Sequence, residues 1–313
     1  MKIESKIKEK ILKSDNFLIT AHIHPEGDAI GSELIVYRLL RKLGKKVRIV
    51  NDDLVPENLK FLPYSKQIKI LGKDIVDIRD IDVFIVVDSA NPERTGGMKK
   101  FLKQAKCVIN IDHHISNSRF GDLNWIDKDA SCAGEMLYSL CKSFNITSDY
   151  KISLLSYVAI LTDTGSFRYE NTSPQTHKIA SELLLNGVDS NEVYNQIFEN
   201  KSIERLHIVG NSLLGLKKEN GVGWISIRVE DLTKYKVKHE DLEGIIDFIR
   251  SLKDIQVAVV FQETKDNIVK ISFRSKDKKV DVNKIAALFG GGGHKMASGC
   301  RVKGSLTSVQ NRV

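Results

Sequence analysis

Residues 17–50 read FLITAHIHPEGDAIGSELIVYRLLRKLGKKVRIV, and their pattern decides the fold. FLITAH (17–22) is a short apolar run that ends on the polar His22, a strand signal. After the HPEG loop, DAIGSELIVYRLLRKLG (28–44) places Leu34, Ile35, Leu39, Leu40 and Leu43 near helical spacing, and Gly44 is a stop signal. KVRIV (46–50) returns as a strand. VFIVVD (83–88) and CVINID (107–112) are continuous apolar runs rich in β-branched residues, as expected of strands buried on both faces. This alternation predicts an α/β fold with an N-terminal parallel sheet and helices on both faces.

From 131 to 217 the pattern is mostly helical, running through SCAGEMLYSLCKSF, ISLLSYVAILTD, SPQTHKIASELLLNG, DSNEVYNQIFEN and SIERLHIVGNSLLGLKK. Strands dominate again after Glu219-Asn220-Gly221: VGWISIRV (222–229), IQVAVVFQET (255–264) and NIVKISFRS (267–275). The last two read as a hairpin across Lys265-Asp266. The expected organisation is a first domain at 1–190, a helical connector at 191–219 and a smaller C-terminal α+β domain at 220–313. A length of 313 residues fits two domains.

Composition narrows the function classes. At 42% hydrophobic and 28% charged the chain is neither disordered nor collagen-like. Its longest apolar stretches, such as LLSYVAIL (154–161), fall well short of the roughly 20 residues of a spanning helix. The N-terminus has no uninterrupted apolar h-region, so the expectation is a cytoplasmic protein with no membrane partner. Cys107, Cys132, Cys141 and Cys300 form no CxxC pair and read as reduced core fillers. The net charge is +8, and residues 265–303 hold ten Lys/Arg against Asp266, Asp277 and Asp281. A local excess of +7 suggests an anionic ligand, although a solvated lysine-rich face is the commoner meaning of a charge cluster.

Four apolar segments each end in a residue able to ligate a metal. FLITA ends at His22, with Glu26 and Asp28 close behind; VFIVV ends at Asp88; CVINI ends at Asp112-His113-His114; LLSYVAILT, which reads as a helix, ends at Asp163. Sites in open α/β sheets form where the carboxyl ends of the strands converge. A lone Asp after a strand is more often a turn or cap residue. The joint occurrence is far more specific than any member. Imidazole and carboxylate ligands suit a borderline ion such as Mn²⁺ better than Ca²⁺, and the lack of thiolates disfavours structural zinc. Near the other end, the glycines 290–293 allow close backbone approach and point N–H groups at an anion, with His294 and Lys295 following. No Lys-Ser/Thr follows them, so this is no ATP-binding P-loop.

HIHPEGDAIGS (22–32), VVDSA (86–90), IDHH (111–114) and TDTGSF (162–167) resemble the four motifs of the DHH phosphoesterase superfamily. GGGGHKMASG (290–299) resembles the GGGH motif of its associated C-terminal domain. Both halves look like the nanoRNase branch, which includes bifunctional oligoribonuclease and pAp phosphatases. The resemblance implies two metal ions, Mn²⁺ with Mg²⁺ or Co²⁺ as substitutes. It implies His22, Glu26 and Asp88 around the first, and Asp28, Asp88, His113 and Asp163 around the second, with Asp88 bridging. Asp112 would orient neighbouring groups and His114 would contact the reacting phosphate, while His24 matches no ligand position. In the C-terminal domain it implies that Arg274, Ser275, Asn283, Gly291, Gly292, Gly293 and His294 bind the substrate. The family usually has Asp where this chain has Glu26, one methylene longer.

The implied activity is hydrolysis of short single-stranded RNA oligonucleotides to mononucleotides, and of 3′-phosphoadenosine 5′-phosphate (pAp) to AMP, by water activated between two metals. The domain layout suggests a cleft that closes over a short substrate. A phosphodiesterase of cyclic or linear dinucleotides is the alternative within the same chemistry. A non-catalytic nucleotide or nucleic-acid-binding module is the alternative from another class. A competent side chain at every ligand position argues against the latter, as do the few aromatics in the basic region, Phe273 and Phe289. A homodimer is left open.

Overall fold

The computed structural model describes residues 2–74, 78–146, 148–242 and 244–313. The chain divides into two compact units, residues 1–200 and 201–313.

In the first unit the strands are β1 (Asn16–Thr20), β2 (Lys46–Asn51), β3 (Ile68–Ile70), β4 (Val83–Val87), β5 (Val108–Asp112) and β6 (Leu123–Ile126). The helices are α1 (Ile3–Lys13), α2 (Gly27–Lys42), α3 (Ala133–Ser143), α4 (Tyr150–Asp163), α5 (Pro174–Leu185) and α6 (Ser190–Phe198). The six strands form one sheet in the order β3-β2-β1-β4-β5-β6, and every pairing in it is parallel. The strand order turns around between β1 and β4, so this is a doubly wound sheet with its switch point at their carboxyl ends. Strand alternation divides the apolar side chains between the two faces. Phe17, Ile19, Val83, Ile85, Val87, Ile109 and Ile111 meet the helical layer, where Leu34, Leu155 and Ile160 lie. Leu18, Val50, Phe84, Val86 and Val108 meet Met98 and Phe101 of a 3₁₀ segment, Pro92–Phe101, on the other face.

Two glycines bring the helix ends together. A Cβ on Gly27 would lie 2.4 Å from Thr162 Oγ1, and one on Gly134 would lie 2.3 Å from Ala159 Cβ. Only glycine allows the first turns of α2 and α3 to come this close to the last turn of α4. That contact sets Asp28 and Asp163 side by side.

In the second unit the strands are β7 (Lys217–Glu219), β8 (Val222–Ile227), β9 (Val257–Glu263), β10 (Ile268–Ser275), β11 (Gly292–His294) and β12 (Ala297–Lys303). They form a mixed sheet in the order β11-β12-β10-β9-β8-β7, with β8 and β9 parallel and the other pairs antiparallel. Helices α7 (Ile203–Leu214), α8 (Val229–Tyr235) and α9 (Ile245–Arg250) pack on Ile225, Ile227, Ala258 and Val260. Helices α10 (Val282–Leu288) and α11 (Leu306–Gln310) pack on Val259, Phe261, Ile271 and Phe273 across the opposite face. The expected β9–β10 hairpin is present. The four cysteines are buried and free. Among the described residues no helix is long and apolar enough to cross a membrane.

Candidate metal centre

The carboxyl ends of β1, β4 and β5 deliver His22, Asp88 and Asp112-His113-His114 to the switch point. The helix ends add Asp28, in the first turn of α2, and Asp163, the last residue of α4. Asp88 is the hub. Its Oδ2 lies 3.3 Å from His22 Nε2, and its Oδ1 lies 3.6 Å from both His113 Nε2 and His114 Nδ1. The same His113 Nε2 is 3.7 Å from Asp163 Oδ2 and 3.9 Å from Asp28 Oδ2. One imidazole nitrogen thus faces carboxylates from three elements.

The surroundings hold these groups in place. His22 Nδ1 lies 2.7 Å from the Ile23 carbonyl, which can only accept, so Nδ1 carries a proton and Nε2 is the ring atom turned to Asp88. Asp28 accepts from the Ala133 and Gly134 amides, each at 2.8 Å, and from Ser32 Oγ at 3.0 Å. Those amides are the unpaired donors at the N-terminus of α3, a natural seat for a carboxylate. Asp112 is fully buried. It bonds His114 Nδ1 at 2.7 Å and accepts from Asn117 Nδ2 at 2.6 Å.

Burial disfavours charge on His22, but the hydrogen bond and charge of Asp88 outweigh it and raise its pKa to about 9. His113 follows the same balance, with Asp88, Asp163 and Asp28 lifting it to about 10. Burial would raise Asp88 too; the His113 and His22 imidazoles facing it instead hold it well below the usual carboxylate range. Asp28 is pushed up to about 6 by burial and the neighbouring Asp88 charge. Asp163 is pushed up to about 8 by burial.

The donor set fits a divalent cation. Among the described residues, Asp88 Oδ1 is buried and has no hydrogen-bond partner, and a buried carboxylate oxygen left so is costly unless a cation takes it. Atoms of Asp88, His113 and His114 lie within 4.8 Å of one another. Glu26 is exposed at the N-cap of α2. His24 is a loop residue with positive φ, exposed and turned to Asp53.

In the second unit the register sets Arg274 of β10 and His294 of β11 opposite the same Ala297 of β12. Opposed residues share a face, so the two side chains stand on one side of the sheet about two strand spacings, or ~10 Å, apart. Lys270 and Arg301, another opposed pair, lie on that face because β10 alternates in burial. Ser275 is buried, and its hydroxyl donates to the Asp277 carbonyl and accepts from the Asp277 amide. Asn283 sits in the first turn of α10. The glycine run is not a bare loop, since Gly292 and Gly293 belong to β11. Cβ atoms on Gly291 and Gly293 would lie 2.2 and 2.5 Å from backbone oxygens of β12. At Gly292 the nearest atom to an added Cβ is Asn283 Oδ1, at 3.8 Å.

Two residues at the centre escaped the sequence reading. Glu33 lies wholly buried in α2, accepts from Asn51 Nδ2 at 3.0 Å, and is pushed up to about 8 by burial. Asn171 bonds Asp163 and the Ser131 carbonyl. In sequence, Glu33 resembles a surface carboxylate of an amphipathic helix and Asn171 a turn residue.

A family model for the DHH family N-terminal domain matches residues 16–162, and one for the DHHA1 domain matches 222–312. The bifunctional oligoribonuclease and PAP phosphatase NrnA of Thermus thermophilus is 32% identical over 297 residues, covering 94% of this chain and 87% of its own. The Bacillus subtilis protein of the same name is 31% identical over 296 residues, covering 92% and 90%. Among solved structures, an exopolyphosphatase-related protein from Bacteroides fragilis is similar at a TM-score of 0.94 and 28% identity, covering 99% of this chain and 93% of its own.

Proposed function

Since the chain belongs to the DHH phosphoesterase family and carries a DHHA1 domain, we propose that it hydrolyses short RNA oligonucleotides to mononucleotides and pAp to AMP, using two Mn²⁺ ions. The observation that carries this reading is Asp88. Its two oxygens face different histidines, His22 and His113, which supports this carboxylate being shared between two cation sites. His22, Glu26 and Asp88 would hold one ion, and Asp28, Asp88, His113 and Asp163 the other. Mixed imidazole and carboxylate donors favour Mn²⁺, with Mg²⁺ and Co²⁺ as substitutes. Such a pair, when bound, acidifies a water and neutralises charge at phosphorus.

The chain's own residues supply the rest. The Asp112 carboxylate, fixed by Asn117, holds Nδ1 of His114, which leaves Nε2 as the ring atom that would address a phosphate oxygen. Arg274 and His294, on one sheet face of the DHHA1 unit, would take the terminal phosphate. The names of the relatives at 32% and 31% identity support the substrates.

The test offers purified protein with Mn²⁺ a ladder of di- to pentanucleotides, pAp, cyclic di-AMP and pyrophosphate in parallel. Release of mononucleotides from the short RNAs and of AMP from pAp is expected. Turnover of cyclic di-AMP with neither of these would replace the substrate assignment by the dinucleotide one.

A further inference from the structure

The segment after α4 turns back on the helix that carries Asp163. Gly165, Ser166 and Phe167 have φ of 54°, 60° and 62°, three successive left-handed residues. Such runs are rare for L-residues and persist only where the surroundings enforce them. Here the Thr164 hydroxyl accepts from the Phe167 amide at 3.0 Å, and the Thr164 carbonyl accepts from the Arg168 and Tyr169 amides, each at 3.0 Å. The Tyr169 ring covers Gly165 so closely that a Cβ there would lie 2.4 Å from it. The chain is thereby returned to the cluster, and the residue it delivers is Asn171.

Asn171 Nδ2 faces three acceptors: the Ser131 carbonyl at 2.8 Å, the Asp163 carbonyl at 3.2 Å and Asp163 Oδ2 at 3.2 Å. Its Oδ1 is buried with no hydrogen-bond partner among the described residues. The alternative amide orientation would set an oxygen against three oxygens, so the network fixes the assignment. An unsatisfied acceptor is unfavourable, so the orientation is dictated by what Nδ2 holds. Ser131 immediately precedes Cys132, the N-cap of α3, whose first amides hold Asp28. One side chain therefore ties the Asp163 carboxylate to the segment that seats Asp28.

We propose that Asn171 is a positioning residue that holds Asp163, and with it the spacing of Asp163 and Asp28, for the second cation. This rests on the two-cation reading of the cluster. The test uses full-length protein stripped with EDTA and titrated with Mn²⁺ alone, followed by calorimetry and by the electron paramagnetic resonance of unbound Mn²⁺. Asn171→Leu keeps the volume and removes all three bonds; Asn171→Ser is small enough to fit the site and keeps one short donor. Affinity for one of the two ions should fall about 10- to 100-fold in both variants, as when a group orienting a ligand is lost. Affinity for the other should stay within about threefold, and Asn171→Ser should lose no more than Asn171→Leu.

A merely structural role would lower the melting temperature of the stripped protein and leave both affinities intact. A folded variant that binds two ions as wild type does overturns the proposal. Because no substrate is present, wild type that binds two ions yet cleaves neither RNA nor pAp would remove the substrate assignment and leave Asn171 in its role.

Discussion

Replacing Asp88 by Asn tests the logic of the centre most directly, because the side chain keeps its shape and loses its charge. His22 is almost wholly buried, and burial alone would hold its pKa below the ordinary value; Asp88 lifts it from 6.5 to about 9. At about 1.4 kcal/mol per pH unit this net rise corresponds to about 3 kcal/mol of stability contributed by protonated His22 in the metal-free protein. The sign follows from the direction of the shift. A histidine whose folded pKa is raised contributes fully below about pH 6.5, and the contribution disappears as pH rises through about 9. The stability advantage of wild type over Asp88→Asn should therefore narrow by at least about 3 kcal/mol between pH 6 and pH 10, because His113, lifted by the same carboxylate, loses its contribution in the same direction, measured by urea unfolding in EDTA. By NMR the His22 ring should titrate near 9 in wild type and below 6.5 in the variant. With Mn²⁺ present, hydrolysis should fall by orders of magnitude, because on the two-metal reading both ions would lose a shared charged ligand. A His22 that titrates near 6.5 in wild type, or a stability gap that stays constant with pH, would refute the argument; near-normal hydrolysis by folded Asp88→Asn would sink the two-metal reading.

At Glu26, Glu26→Gln should weaken one ion in a Mn²⁺ titration, whereas Glu26→Asp should keep substantial activity; unchanged occupancy and rate in Glu26→Gln would mean that the residue only lines the loop. Arg274→Ala removes a charged donor worth about 1.5–3 kcal/mol, so kcat/KM on pAp and short RNA should drop roughly 10- to 150-fold. Bis-p-nitrophenyl phosphate, which lacks the terminal phosphate, should be hydrolysed nearly as before; equal losses on both substrates would remove Arg274 from recognition. Gly134→Ala drives a methyl group to 2.3 Å from Ala159 Cβ and displaces the amide that holds Asp28. It should cost about 1–3 kcal/mol in urea unfolding and weaken Mn²⁺ binding, and a variant that matches wild type in both would show that α3 and α4 have room to part.

What could be read from the chain, and what could not, divides along a physical line. The strands announced themselves because burial on both faces leaves an unbroken apolar run, as in VFIVV. Their ends announced themselves because the apolar run stops on His22, Asp88 or Asp112. Position in a parallel sheet follows from chain order and handedness, so residues remote in sequence were expected at one edge. The helix-borne candidates were harder. Asp28 and Asp163 meet the others only because Gly27 and Gly134 let three helix ends touch, a fact about packing that no local pattern encodes.

The supporting residues were harder still. Glu33 lies in SELIVY, where helical periodicity alone would leave its carboxylate in water. Its burial depends on Asn51 arriving from β2 to bond it. Asn171 stands in ENTS, which reads as a turn and is one, and its importance arises from the left-handed reversal at 165–167 that returns it to Asp163. The glycine run shows the same limit from the other side. In sequence the glycines read as admitting a ligand to the backbone, and in the structure Gly291 and Gly293 also lie against the backbone of β12. Ligands are legible when they terminate a pattern, whereas the groups that hold them interrupt nothing and take their meaning from contacts that exist only once the chain has folded.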